Sequence, residues 1–187
     1  GIVGTGVIGT GWIIRTLAHN KIVHAYDQNK NLRNYVLKEI KRTSKSIKKL
    51  FGKKILIKNL KFFNSLEKAL SNVDFVQESV LENYKVKTDL IQKISKYVKS
   101  NVIISSSSSG LLPSKIFSKS KNPQRGIIGH PFNPAYLLPA VEIVPGKKTT
   151  KKFLLDANKY YKSISMKPIM LKKELPGYLS DRLQEAL

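Results

Sequence analysis

Gly4-Thr-Gly-Val-Ile-Gly9 is the stretch that decides the fold. It has the spacing G-x-G-x-x-G and lies between an apolar strand stub (residues 1–3) and a helical run (residues 7–19). In that run Ile8, Trp12, Ile13 and Leu17 supply the apolar members. The first glycine permits a tight turn, and the second lets backbone N–H groups approach a pyrophosphate. The third allows the helix to pack closely on the strand. Val7 and Ile8, between the second and third glycines, belong to the same cradle. Alone the hexapeptide is a weak signal, since a glycine-rich structural turn beside a surface Asp reads the same way. Asp27 strengthens it: it stands 18 residues past Gly9 at the end of a predicted strand (residues 21–26). A carboxylate there accepts from both ribose hydroxyls and repels a 2′-phosphate, which favours NAD over NADP.

Outward from this turn, strands at residues 60–63, 73–79, 102–104, 126–129, 140–144 and 167–171 alternate with helices. The helices fall at residues 29–50, 65–70, 82–98, 149–163 and 178–187. Leu32, Val36, Leu37, Ile40 and Ile47 line one side of the basic second helix, which Gly52 closes. Ser65 is the expected N-cap of the third, and Val86, Leu90, Ile91 and Ile94 face inward from the fourth. This alternation predicts an α/β, Rossmann-type, doubly wound and mostly parallel sheet. Ligands of such sheets lie beyond the carboxyl ends of the strands. The residues there are the glycine turn, Asp27, residues 79–82, the five serines 105–109 and His130.

Composition removes several classes of function. Without Cys there is no disulfide, thiolate nucleophile or thiolate metal site, and three His make a histidine-rich metal site improbable. No apolar run reaches the roughly 18 residues of a membrane span, and no secretory signal is visible. The expectation is therefore a cytoplasmic protein with no metal and no membrane partner. The formal charge of +22 comes from 34 basic residues, of which 29 are Lys and only five Arg. Nucleic-acid readers lean on Arg, and these lysines are scattered, with a modest cluster between Lys38 and Lys61. The reading is a solvated, Lys-coated surface and no nucleic-acid partner; the alternative is a polyanion-binding face.

His130 sits in a stretch framed by Gly129, Pro131 and Pro134 and is predicted to lie in a loop. By itself it reads as a hydrogen-bonded loop histidine. Glu142 changes that, twelve residues on, in an apolar strand among Val141, Ile143 and Val144. A carboxylate in so apolar a strand needs a partner, and a strand–loop–strand return brings it toward the imidazole. A His held by a carboxylate is a general base near neutral pH. The alternative for Glu142 is an outward-facing strand residue. His19 reads as a helix C-terminal dipole partner and His24 as a strand residue.

Residues 4–9, 77–87, 105–111, 129–144 and 176–183 resemble the nucleotide-binding domain of the 3-hydroxyacyl-CoA dehydrogenase family. Ser107-Ser-Ser-Gly-Leu-Leu-Pro-Ser114, Gly129-His-Pro-Phe-Asn-Pro-Ala-Tyr-Leu-Leu-Pro139, Gln77-Glu-Ser79 and Glu174-Leu-Pro-Gly-Tyr-Leu-Ser-Asp-Arg-Leu183 are most similar to its carnitine-oxidising branch. The resemblance implies an NAD-dependent oxidation of a 3-hydroxy acid to the 3-oxo acid, L-carnitine to 3-dehydrocarnitine foremost. It implies that His130 is the catalytic base, Glu142 its orienting carboxylate and Ser109 the hydroxyl that holds the reacting oxygen and approaches the nicotinamide. Glu82, Lys87 and Asn133 match cofactor-contacting positions, and Ser79 a backbone contact near the cofactor. Phe132 and Tyr136 are candidates for surrounding a trimethylammonium group; their alternative is packing in the core.

Three departures bear on substrate. Asp181 replaces the Asn of the acyl-CoA enzymes, Leu81 replaces a proline common in the carnitine branch, and the basic segment after Asp27 is short for a CoA-binding hairpin. A 3-hydroxyacyl-CoA, a sugar acid such as L-gulonate, and a non-catalytic NAD-binding relative of the crystallin kind are the alternatives. The first residue is Gly1 inside a motif and the last falls inside a predicted helix. The expected organisation is a cofactor domain over residues 1–176 with its start missing. Residues 177–187 are then the first helix of an otherwise absent C-terminal helical domain, through which the full-length protein forms a homodimer.

Overall fold

The computed structural model describes every residue except Lys53, which belongs to the basic stretch 38–61 and lies outside the described residues. Among the described residues eight strands form one sheet: β1 (Ile2–Val3), β2 (Val23–Tyr26), β3 (Leu60–Phe63), β4 (Phe75–Glu78), β5 (Ile103–Ser106), β6 (Gly126–Pro131), β7 (Ala140–Pro145) and β8 (Lys167–Met170). Their order is β3-β2-β1-β4-β5-β6-β7-β8. The first six are mutually parallel, β7 is antiparallel to β6, and β8 is parallel to β7. The chain reverses its direction of winding between β1 and β4, which is where this architecture opens a ligand crevice.

Helices α1 (Val7–Ala18), α2 (Leu32–Phe51) and α6 (Lys151–Ser163) cover one face of the sheet. The other face carries α3 (Leu66–Leu70), α4 (Tyr84–Tyr97) and α5 (Pro113–Ile116), and a short helix, α7 (Ser180–Glu185), ends the chain. Side chains alternate across a strand, so each strand feeds both cores. Phe75, Ile103 and Ile127 face α1 and α6, while Val76, Ile104 and Ile128 face α4 and α5. One step further along the same strands the sequence turns polar: Gln77 and Glu78 in β4, Ser105 and Ser106 in β5, Gly129 and His130 in β6. The apolar half of each strand builds the core and the polar half builds the site.

Several boundaries differ from the sequence expectation for identifiable reasons. Asn83 caps α4 through its side chain, which accepts from Val86 N–H at 3.1 Å. The helix therefore starts at Tyr84, and Glu82 stays outside it. Val86, in the first turn, is not inward-facing but 42% exposed, and Leu37 is likewise exposed. His130 is not in a loop. Pairing with β7 carries β6 on to Pro131, with His130 opposite Glu142 and Pro131 opposite Val141. The terminal helix starts only at Ser180, after Tyr178 takes a positive φ of 46°. Tyr178 is buried and donates to Leu111 O at 2.7 Å. Ser65 caps α3 and Gly52 ends α2 at φ 67°, as expected.

Gly129 has no room for a side chain. A Cβ there would lie 1.7 Å from the Tyr161 hydroxyl, which is fully buried and bonded to Gln77 Oε1 and Ser105 Oγ. Gly129→Ala is expected to cost about 3 kcal/mol of stability through overpacking, read as a lowered urea midpoint with the slope unchanged.

Candidate active site

The glycine turn follows β1. Gly4 has φ +86°, and a Cβ there would meet Ser79 O at 2.6 Å. A Cβ on Gly9 would lie 1.8 Å from Gly4 O, so the helix can approach the strand only with glycine at this position. Gly6 is different: nothing lies within 4 Å of its Cβ direction. It is the N-cap of α1, whose first turn holds no acidic residue, so the free N–H groups there present a cradle suited to an anionic pyrophosphate. Asp27, just past β2, accepts from Thr5 N–H at 2.6 Å and from Asn29 N–H at 2.9 Å. Its Oδ2 also accepts from Thr5 Oγ1 at 3.3 Å, so the lone pair free for a further donor is on Oδ1. Gly4, Gly6 and Asp27 border one cavity of about 690 Å³. Ser79 and Val80 border both it and a second cavity of about 720 Å³, so the two adjoin over the carboxyl ends of the strands. A dinucleotide fits this arrangement, with open space at Gly6 and an acceptor at Asp27.

His130 and Glu142 meet in the second cavity. The antiparallel register puts them directly opposite, and His130 Nδ1 lies 2.8 Å from Glu142 Oε2. The Glu142 side chain is fully buried. Its Oε2 also accepts from Ser180 Oγ at 2.6 Å, and its Oε1 accepts from the N–H groups of Leu179 (2.9 Å) and Ser180 (3.1 Å). Burial alone would push this carboxyl up. The donors from His130, Ser180 and Leu179 outweigh burial and hold it below the ordinary glutamate value. An ionised carboxylate only accepts, so Nδ1 carries the proton and Nε2 is the ring nitrogen left for the cavity.

The serine run is held by a buried ion-pair network. Lys87 Nζ donates to Glu78 Oε1 at 2.9 Å and to Val80 O at 3.0 Å, and lies 3.4 Å from Glu82 Oε2. Two of the ammonium protons thus have acceptors within the chain, and Glu82 adds an ion pair. Glu82 Oε1 accepts from the Ser108 hydroxyl and from the N–H groups of Ser109 (3.0 Å) and Gly110 (3.3 Å). Ser106 Oγ donates to the second oxygen of Glu78 at 2.5 Å.

Ser109, Asn133, Phe132 and Asp181 share the larger cavity with His130 and Glu142, and Ile8, Ser79, Glu82 and Lys87 also border it. Gly9 is buried beneath the turn, and Val7 is 60% exposed and borders neither cavity. Tyr136 does not line the site either. It packs against the core beneath α1 and α2, its hydroxyl 3.5 Å from Arg42, so the packing alternative describes it. Sequence reasoning missed Glu78, Ser107 and Ser180. The signals were present: a second acid beside Gln77 in an apolar strand, and a serine beside Asp181. Among the described residues no cluster of three His, Cys, Asp or Glu could hold a metal, and no helix is long and apolar enough to cross a membrane.

Fold and site together define a dinucleotide-binding α/β domain with a carboxylate-held histidine over its crevice. The description "3-hydroxyacyl-CoA dehydrogenase, NAD binding domain" matches residues 1–175, and the chain belongs to this family. It is 42% identical over 187 residues, its whole length, to an L-carnitine dehydrogenase from Oceanobacillus iheyensis, and covers 61% of that protein. It is 42% identical over 185 residues to an L-carnitine dehydrogenase from Pseudomonas putida, covering 98% of this chain and 58% of the relative. A solved diketoreductase superposes with a TM-score of 0.91 at 25% identity, over 100% of this chain and 68% of that one. The chain thus spans about three fifths of the length of its carnitine dehydrogenase relatives.

Because the folded Glu142 carboxyl titrates below the ordinary value of 4.5, its ionisation favours the folded state. That stability is complete above the ordinary value and is lost as pH falls through the lowered one. In Glu142→Gln the acid limb of the urea midpoint against pH should flatten below pH 4.5, and at pH 7 stability should drop by about 1–3 kcal/mol.

Proposed function

We propose that this chain carries the cofactor site and the general base of an NAD-dependent dehydrogenase that oxidises a 3-hydroxy acid. L-carnitine is the substrate and 3-dehydrocarnitine the product. The observation that carries the reading is the 2.8 Å contact between His130 Nδ1 and a fully buried Glu142, on a cavity that Ser109 also borders. With its proton on Nδ1, the ring takes the substrate's C3 hydroxyl proton at Nε2. Glu142, kept ionised by its other donors, stabilises the imidazolium that results. Ser109 donates to the oxygen as it becomes a carbonyl. A bound NAD would supply the hydride acceptor for C3. The backbone of the turn, Gly4, Gly6, Val7 and Ile8, with Gly9 packed beneath it, would hold its pyrophosphate, Asp27 its adenosine ribose, and Ser79 and Asn133 its nicotinamide side. Glu82 and Lys87 act by holding the serine loop.

Carnitine is favoured over an acyl-CoA by the charges at the cavity. Glu82, Glu142 and Asp181 border it, and its one lysine, Lys87, is ion-paired to buried Glu78. A quaternary ammonium has no N–H to donate, so it is recognised by negative charge and aromatic faces; Asp181 and Phe132 supply these. The names of the two L-carnitine dehydrogenase relatives support the same substrate. On this reading residues 1–176 form the cofactor domain and residues 177–187 the first helix of a helical domain, through which the full-length protein dimerises in the cytoplasm.

Expressed at the length of its relatives, the protein should reduce NAD with L-carnitine at a kcat/KM at least tenfold above that with 3-hydroxybutyryl-CoA or L-gulonate. A reversed order moves the substrate to the preferred compound. His130→Gln should lower kcat by roughly 10²–10⁴-fold while NAD affinity holds within twofold; unchanged turnover removes His130 from the mechanism.

A further inference from the structure

A second polar network lies under the crevice, on the face of the sheet opposite His130, and the function proposed above uses none of it but Ser79. It joins Tyr161 of α6, Gln77 of β4, Ser107 past β5, Trp12 of α1 and Ser79 past β4. Tyr161 Oη donates to Gln77 Oε1 at 2.7 Å, and Gln77 Nε2 lies 3.3 Å from Gly129 O and 2.7 Å from Ser107 Oγ. A carbonyl oxygen only accepts, so the amide end facing Gly129 is the NH₂, and the orientation of Gln77 follows. Ser107 Oγ therefore accepts one N–H from Gln77. It accepts a second from the Trp12 indole, which is a donor only, at 3.0 Å. Both of its lone pairs are then occupied.

Ser107 has one proton to give, and Ser79 Oγ lies 2.8 Å away. The direction of that bond is thereby set: Ser107 donates and Ser79 accepts. The backbones of both serines are fixed, Ser79 N–H on Val3 O at 2.7 Å and Ser107 N–H on Glu78 O at 2.8 Å. Ser79 keeps its own O–H for another partner, and it stands where the two cavities meet, between the glycine turn and His130.

We infer that the Ser79 hydroxyl is a pre-directed hydrogen-bond donor to an acceptor oxygen in the middle of the bound dinucleotide, a pyrophosphate oxygen or a hydroxyl oxygen of the nicotinamide ribose. This rests on the NAD-binding reading of the crevice and adds to it a side-chain contact whose direction is dictated by Gln77 and Trp12. Tyr161, Gln77, Trp12 and Ser107 are positioning residues. They reach the cofactor only through Ser79, and they keep its proton from turning inward, so the donor is oriented before binding.

The test is calorimetric titration of the parent chain, Ser79→Ala and Ser79→Cys with NAD, ADP-ribose, ADP and AMP. Cysteine fills the same space with a weak donor. Both variants should bind NAD and ADP-ribose about five- to tenfold more weakly, the fold-change of one lost neutral hydrogen bond, while AMP binding stays within twofold. An equal loss with ADP assigns the acceptor to the pyrophosphate, and a loss with ADP-ribose but not ADP assigns it to the ribose. Two results overturn the inference: either variant binding NAD within twofold of the parent, or an equal loss with AMP, which marks a general disturbance of the crevice. A parent that binds neither NAD nor ADP-ribose overturns the crevice reading itself and is distinguished by that control.

Discussion

A carboxylate that gives up water must be surrounded by donors, and that demand organises this molecule at two places. Glu142 in β7 and Glu78 in β4 are both fully buried. An unpaired buried charge of this kind costs several kcal/mol, so the elements around each are committed to supplying protons. For Glu142 they are the end of β6, through His130, and the start of α7, through two backbone N–H groups and Ser180. For Glu78 they are Lys87 of α4, Ser106 of β5 and Val80 N–H. The same bonds that repay desolvation also aim the residues at the crevice: the imidazole in one case, and in the other, through Lys87 and Glu82, the loop carrying Ser109.

The antiparallel strand at the far side of the sheet is what makes the first arrangement possible. Parallel neighbours in this architecture are joined by long crossovers, so two residues twelve apart could not face one another across them. The return of β7 beside β6 places His130 opposite Glu142 on the face that also carries Ile128 and Val144, apolar residues that wall the pair from water. The remaining donors to Glu142 come from the residues just before and at the start of α7. The orientation of the His130 ring therefore depends on the docking of α7 as well as on the sheet.

How much of this was legible beforehand follows from whether a residue's signal is local. The glycine turn, Asp27 and the alternation of strands and helices are short-range patterns, and the sheet order agrees with them. Glu142 stood out because a charge in an apolar strand is anomalous on its face. The five serines were opaque for the opposite reason. They are identical in sequence, yet alternation across β5 and its loop sends them to different partners: Ser105 to Tyr161, Ser106 to Glu78, Ser107 to Trp12 and Gln77, and Ser108 to Glu82. Only the partners distinguish them, and those lie 26 to 95 residues away in the chain. The loop assigned to His130 failed similarly: glycine and proline punctuate a sequence, but hydrogen bonding to β7 carried the strand past both. Tyr136 departs from the cavity because nearness in sequence to Phe132 does not carry across a turn that packs one against the core beside Arg42 and leaves the other on the cavity.

The charge of the whole chain and the charge of its cavity point in opposite directions, and they act over different distances. A net +22 spread over surface lysines produces a long-range field that draws an anionic dinucleotide toward the protein and weakens with salt. Within the larger cavity the sign reverses, because its acids, Glu82, Glu142 and Asp181, face a single lysine already committed to Glu78. Close contacts in a partly desolvated pocket outweigh a screened field from outside. A ligand with phosphates is thus attracted to the protein yet poorly matched to this end of the crevice, whereas a compact cation is matched there. The dinucleotide meets the requirement at the glycine turn, where helix N–H groups await its pyrophosphate, and the zwitterionic hydroxy acid of the proposed function would meet it beside His130.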